Sequence, residues 1–189
     1  MRRDSMEACR TRGAGVLLPV SALPSPYGIG TLGNAAYRFI DQLHAAGQTY
    51  WQVLPIGPTG FGNSPYQSYS AFAGNPYFID LDRLEEQGLL TQSDILKFDW
   101  GENPSCISYD KIAEHRLQLL QIAYENSNHL YRSDYMEFCK KQEPWLDDYA
   151  LFMACKDTFG QCEWLKSNTD IKERDSSELV TSRLLLKEN

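Results

Sequence analysis

The sequence predicts an α/β fold, with one βαβ unit at the start and a mainly helical region after it. Two apolar runs of strand length and composition, Gly15 to Val20 and Tyr50 to Leu54, predict the strands. Between them, apolar residues recur at helical spacing. From Asp82 onward the helical spacing continues, and the sequence offers no third strand candidate.

Each boundary of the βαβ unit has a local signal. Pro19 ends the first strand, and a glycine- and proline-rich loop covers 21–33. Asn34 is the predicted N-cap of the helix, and Gly47 the residue that closes it. A right-handed crossover makes the strands parallel, so the loops after both strands emerge at the same end of the sheet. Ligands bind at that end in such units.

Beyond Asp82 the pattern predicts four helices before the charged tail, which itself ends in a helical segment from Glu178 to Lys187. The first is short and ends at Gly88, and 91–100 is a polar connection. The other three are predicted over 110–125, over 134–141, and from Pro144 as first helical residue to Gly160.

Side-chain roles on these helices follow from their spacing. The predicted buried face of the helix over 110–125 consists of Ala113, Leu117, Leu120 and Tyr124, widened by Ile112 and Ala123. Adjacent helical residues point about 100° apart, so Asp147 and Asp148 are interpreted as first-turn acids that favour the helix dipole. The last helix carries a predicted core face at Trp145, Tyr149, Phe152 and Met153.

Composition excludes several function classes. The chain has 189 residues and a net charge of −7, with 18 Lys and Arg against 25 Asp and Glu. An acidic chain is a poor partner for nucleic acid or an anionic membrane. No apolar run approaches the roughly 20 residues that a membrane helix needs, and the basic start lacks the apolar stretch of a signal peptide. A neutral ligand, or one that tolerates an acidic surface, fits better.

Cysteine and histidine usage predicts no metal site. The cysteines are odd in number and form no CxxC pair, which favours free thiols in a reducing cytoplasm. They are Cys9, Cys106, Cys139, Cys155 and Cys162. The histidines lie in three different segments without ligand spacing, at His44, His115 and His129.

The first loop contains a GxGxxG pattern at Gly28, Gly30 and Gly33, after a strand and before a helix. This is the context of a dinucleotide-binding turn. However, a long proline-rich loop separates strand from helix, and the next strand runs into Pro55 without an acidic residue for a ribose. The pattern is therefore not taken to predict a nucleotide site, and this loop and the second one are expected to share one binding surface.

The second loop, residues 55–76, is unusual because it combines glycines and prolines with aromatic side chains. Long irregular segments in compact domains are commonly functional. Tyrosine offers a flat apolar face and a hydroxyl, which suits a sugar ring. The alternative is that the aromatic residues are ordinary core packing at one end of the sheet. We call residues 55–76 the aromatic loop.

The run WQVLPIGPTGFGNSPYQSYSAFAGNPYFIDL, which spans this loop, resembles the amylomaltases, 4-α-glucanotransferases of the α-amylase superfamily (also called disproportionating enzymes). GVLLPVSALPSPYGIGTLG and WLDDYALFMACKDTFG resemble further parts of the same family, so the likeness covers nearly the whole chain from Gly15 onward. The resemblance implies a (β/α)₈ barrel that transfers α-1,4-glucan segments to glucan or glucose acceptors. It implies retaining chemistry by two carboxylic acids, and no cofactor.

Carried over to this chain, the resemblance implies a sugar-binding site in SPYQ. Tyr66 resembles the tyrosine that lines the donor-sugar subsite, and Ser64 and Gln67 would shape that pocket. Phe61 stands where the family often has a tyrosine that stacks on a glucan at a secondary site. Asn63 stands where many relatives carry aspartate.

The resemblance also implies a division of the chain. Residues 1–82 would be the first two barrel strands with their loops, 83–166 an inserted helical subdomain, and 167–189 a charged linker with the start of the next helix. The family's catalytic carboxylates belong to later barrel strands, which we expect beyond Asn189.

Two functions of other classes remain open on the residues alone. One is a non-catalytic α-glucan-binding module that uses the aromatic loop. The other is a helical interaction domain built on 83–160. A continuation of the reading frame into a motif with paired carboxylates would favour the enzyme over both.

We predict that the 189-residue chain by itself has no glucanotransferase or hydrolase activity, because no acid in it occupies a catalytic motif of the family. The measurement is glucose release from maltotriose by the purified chain. Release of glucose would contradict the prediction.

Overall fold

The structure is a computed structural model that describes residues 12–60, 62–101, 103 and 105–158. The chain divides into two compact units, Met1–Ser127 and Asn128–Asn189. In the first, a two-stranded sheet and four helices pack with two single-turn 3₁₀ helices. The second contains one 3₁₀ turn and one long helix among its described residues.

The predicted βαβ unit is present. Strand β1 (Gly15–Leu17) pairs in parallel with β2 (Tyr50–Gln52), with Gly15 opposite Tyr50, and helix α1 (Asn34–Ala45) connects them. Both strands are shorter than predicted. The first stops before Pro19, and Val20–Ala22 forms a 3₁₀ turn.

The ends of α1 confirm one predicted boundary and correct the other. Gly47 has φ 69° and its amide donates to the carbonyl of His44, as expected of a glycine that closes a helix. The N-cap is Gly33, and Asn34 is already helical, so the predicted Asn34 cap was wrong. The carbonyl of Gly33 accepts from the amides of Ala36 and Tyr37, which puts the cap one residue earlier.

A small core lies between α1 and the sheet. Its buried members are Val20, Leu23 and Ala36. Phe39 of α1 packs edge-on against Trp51 of β2, with ring centroids 5.2 Å apart. The indole Nε1 of Trp51 donates to the carbonyl of Leu18 at 2.8 Å, which ties the two strand ends together.

Three further helices complete the first unit: α2 (Leu81–Glu86), α3 (Gln92–Ile95) and α4 (Tyr109–Asn126). Gly88, with φ 71°, follows α2 as predicted. Helix α3 lies where a polar connection was predicted. Thr91 and Asp94 form a capping box there, and hydrogen bonds from Lys97 and Thr91 lower the pKa of Asp94 to about 2.

The buried face of α4 includes Ile112 and Ala123, as predicted, but otherwise differs from the predicted one. Leu117 and Tyr124 are 50% and 55% exposed, whereas the buried residues are Ile112, Arg116, Leu119 and Ala123. Relative to the prediction, α4 is rotated about its axis so that Arg116 lies on the buried face, where its Nη2 donates to the carbonyl of Ile79. A charged residue in the middle of the buried face conceals that face from a hydrophobicity pattern.

A buried polar junction joins the elements of the first unit. Asp80 caps α2 by accepting from the Arg83 amide at 3.1 Å, and it also accepts from the hydroxyl of buried Thr31. Burial lowers the pKa of Arg116 to about 10, and the negative charge of Asp80 opposes this lowering. We call Thr31, Asp80 and Arg116 the polar junction.

Helix α5 (Ser133–Thr158) follows the 3₁₀ turn His129–Tyr131 in the second unit. Two helices were predicted here, but Pro144 lies inside a single helix. A proline removes one backbone hydrogen bond, while side-chain bonds from Trp145 to Gln142 (2.7 Å) and from Lys141 to Glu137 (2.7 Å) lie on the turns beside it. Gly160 and the tail after it lie outside the described residues.

Two consequences follow for α5. Asp147 and Asp148 lie in mid-helix, so the interpretation as first-turn acids was wrong. The predicted face is partly buried, and the rings of Trp145 and Tyr149 are 6.0 Å apart. None of the helices in the described ranges is sufficiently long and apolar to cross a membrane.

We predict that Gly33→Ala destabilises the chain by about 1–3 kcal/mol, the usual cost of overpacking. A Cβ at Gly33 would overlap the buried Asp80 carboxylate. The matched control is Gly74→Ala, where an added Cβ meets no atom within 4 Å. Chemical denaturation measures both, and equal effects of the two substitutions would refute the steric explanation.

Candidate functional site

The aromatic loop leaves β2 at the end of the sheet from which the first loop also emerges. Its base is closed by the backbone N–H of Asn75, which donates to the backbone carbonyl of Ile56 at 2.8 Å. Further out, Thr59 and Ser68 form an antiparallel bridge, and the amide of Gly60 donates to the carbonyl of Gln67 at 3.2 Å. The loop is therefore hydrogen-bonded at its base and across its middle.

The predicted sugar-binding residues of SPYQ share one turn. The amide of Gln67 donates to the carbonyl of Ser64 at 3.1 Å, and the amide of Tyr66 points at the Ser64 hydroxyl at 3.4 Å. Tyr66 is 73% exposed. Asn63 adopts φ 55°, a left-handed conformation that asparagine tolerates well. Phe61 lies outside the described residues.

The second half of the loop is built on serine side chains. The hydroxyl of Ser70 accepts from the amides of Phe72 and Ala73 at 3.1 Å and 3.0 Å. The hydroxyl of Ser68 in turn donates to the carbonyl of Ser70 at 2.7 Å. Such side-chain-to-backbone bonds hold a turn without regular secondary structure. The serines alternating in SYSAF were the available sequence signal, and no role was predicted for them.

A cavity of about 520 Å³ opens on this loop. This volume is within the usual range of small-molecule sites. Among the described residues, its lining comes from the aromatic loop and includes no charged side chain: Pro55, Ile56, Gly57, Pro65, Tyr66, Ser68, Ser70, Ala71, Phe72, Ala73 and Gly74.

The loop aromatics divide between surface and core. Tyr66 and Phe72 are 73% and 72% exposed. Tyr77 and Phe78, at the end of the loop, are half-buried, and burial together with neighbouring Tyr69 raises the pKa of Tyr77. The core interpretation therefore holds for Phe78, which packs on the core of Val20, Leu23 and Ala36, and is wrong for Tyr66 and Phe72.

The glycines of the GxGxxG pattern have packing roles. Gly28 has φ 75°, and a Cβ there would come within 2.6 Å of the Trp100 carbonyl. Gly30 lies against the backbone of Val20 and Leu23, and Gly33 against the Asp80 carboxylate. A carboxylate beside the third glycine repels a phosphate, which opposes a nucleotide at this turn.

Neighbouring acids serve the fold. Asp80 belongs to the polar junction, and Asp82 accepts from the hydroxyl of Tyr27. Burial, and then this hydrogen bond, raises the pKa of Tyr27. Within the described ranges, no group of three or more His, Cys, Asp or Glu residues could hold a metal ion.

Comparisons with known proteins point to one family. A family model described as 4-alpha-glucanotransferase matches residues 18–189. The 4-alpha-glucanotransferase of Clostridium butyricum is 47% identical over 170 residues, which cover 90% of this chain and 35% of that protein. The 4-alpha-glucanotransferase of Thermus thermophilus is 39% identical over 181 residues, which cover 94% of this chain and 35% of that protein.

A solved structure agrees. Amylomaltase from Streptococcus agalactiae in complex with acarbose superposes with a TM-score of 0.87 at 36% identity, over 94% of this chain and 36% of that one. The chain thus spans about a third of the length of the curated relatives it matches.

We predict that Asn75→Ala lowers the free energy of unfolding by about 0.5–2 kcal/mol, the cost of losing a cap. Its buried side chain accepts from the Tyr77 amide at 2.9 Å. Asn34→Ala is the control, because no side-chain bond caps α1. Urea denaturation compares the two, and a larger loss for Asn34→Ala would contradict the assignment of both caps.

Proposed function

Because the chain belongs to the 4-alpha-glucanotransferase family, we propose that the whole protein transfers α-1,4-glucan segments to glucan or glucose acceptors. The family model covers residues 18–189, and relatives of that name are 39% and 47% identical. We place the reaction in a reducing, cytoplasmic setting, in keeping with free Cys106, Cys139 and Cys155 in the described residues.

The fold we propose for the whole protein is a (β/α)₈ barrel, with β1 and β2 as its first two strands. Parallel pairing and the common exit of both loops support this architecture. We keep the division into a barrel start (1–82), an inserted helical subdomain (83–166) and a linker with the next helix (167–189). Barrel enzymes carry their active sites on the loops that follow the strands, where the aromatic loop lies.

In this proposal the described residues bind and orient the glucan. Retaining transfer needs one carboxylate as nucleophile and a second as acid and base. The acids closest in sequence to the aromatic loop, Asp80 and Asp82, are engaged in structural hydrogen bonds. We therefore assign the catalytic pair to other parts of the protein and propose no metal or organic cofactor.

The observation that carries the proposal is the exposed ring of Tyr66 on a hydrogen-bonded loop. The ring lines a cavity of about 520 Å³ together with Ser68 and Ser70, and an aromatic face beside hydroxyls suits a pyranose. Ser64 and Gln67 flank the ring on the same turn, and Phe61 is retained as a secondary stacking residue. The solved amylomaltase holds acarbose, a glucan analogue.

We predict that Tyr66→Ala weakens binding of maltoheptaose to the chain roughly three- to tenfold, the value of one stacked ring. Isothermal titration calorimetry measures the dissociation constant. Tyr124→Ala is the matched control, since Tyr124 is 55% exposed on α4, away from the aromatic loop. Equal affinity of Tyr66→Ala and the unaltered chain would exclude Tyr66 as a sugar contact.

A further inference from the structure

We propose that Phe72 is a second stacking surface for the α-glucan, beside Tyr66, and that Ser70 is its positioning residue. This inference rests on the proposed function, since it concerns the same ligand. No role for either residue follows from the SPYQ motif, which ends at Gln67.

The first support is exposure on a shared cavity. Phe72 is 72% exposed, nearly the same as Tyr66 at 73%. Both side chains line the cavity of about 520 Å³. A large apolar ring on the rim of such a cavity offers a contact surface that the core of the first unit does not use.

The second support is the way in which the backbone at Phe72 is held. Its amide donates to the Ser70 hydroxyl at 3.1 Å, and the Ala73 amide donates to the same oxygen at 3.0 Å. Ser68 anchors Ser70 through its own hydroxyl at 2.7 Å. Gly57 makes room for Ser68, because a Cβ at that glycine would collide with the Ser68 hydroxyl. Three residues thus hold the backbone that carries the exposed ring.

The lining of the cavity selects the kind of ligand. Its described residues carry no charged side chain, which disfavours phosphates and other ions. It combines two exposed aromatic faces with the hydroxyls of Tyr66, Ser68 and Ser70. A neutral α-glucan has C–H faces and hydroxyl edges that match both features, and two rings offer stacking surfaces to more than one glucose unit.

The test compares Phe72→Ala with Phe72→Tyr in the full 189-residue chain, with maltose and maltoheptaose as probes in isothermal titration calorimetry. We expect Phe72→Ala to weaken maltoheptaose binding about three- to tenfold and maltose binding less. Phe72→Tyr keeps the flat face and should retain the affinity within about twofold. Since Phe72 is mostly exposed, both variants should fold, which circular dichroism checks.

The positioning role has its own pair of variants. Ser70→Ala removes the acceptor for two amides and should reproduce part of the loss seen for Phe72→Ala. Ser70→Thr keeps the hydroxyl and should restore the affinity. Loss of affinity in both Ser70 variants would reject the hydrogen-bond explanation in favour of a steric one.

The results separate this inference from the proposed function. If Tyr66→Ala weakens maltoheptaose binding and Phe72→Ala leaves it unchanged, the inference is overturned and the proposed function stands. If neither variant changes the affinity, or the unaltered chain binds no maltoheptaose, both are overturned. An equal loss of maltose and maltoheptaose affinity in Phe72→Ala would reject the view that only longer chains reach the second ring.

Discussion

The carboxylate of Asp80 is the group on which the first unit most depends. It caps α2, accepts a hydrogen bond from Thr31 of the first loop, and faces the positive charge of Arg116 on α4. A buried charge is costly unless it is paired and hydrogen-bonded. One carboxylate therefore joins a hydroxyl of the first loop to the first turn of α2, within the electrostatic influence of Arg116, and it requires Gly33 to carry no Cβ.

This junction also fixes the end of the aromatic loop. The 3₁₀ turn Pro76–Phe78 leads directly to Ile79, whose carbonyl accepts from Arg116. The other end of the loop continues from β2, and Asn75 closes the base. Because one end is held beside the buried junction and the other continues from the paired strand β2, the middle of the loop can display exposed rings on a defined backbone. A site prepared in this way loses less conformational entropy on binding.

Local signals predicted the elements better than they predicted the packing. The parallel strands, the helix between them, and the glycines at 47 and 88 were all recognised from spacing and residue type. The family likeness was recognised from motifs and is confirmed by the comparisons. The full buried face of α4 and the continuity of α5 through Pro144 were not recognised. Tertiary context can override local helix propensity, so a charged residue can face the core and a proline can lie inside a helix.

By itself, the sequence determined the βαβ unit, the family, and the turn that brings together Ser64, Tyr66 and Gln67, because these depend on residues close together in the chain. Only the tertiary structure decided that Arg116 and Asp80 are buried near each other and that Phe72 and Tyr66 share a cavity. The burial of Arg116 and Asp80 depends on packing between elements far apart in sequence, and no local pattern records those distances. Tyr66 and Phe72 are close in sequence, but the cavity they share depends on how the irregular loop is held by its own bridge and serine hydrogen bonds.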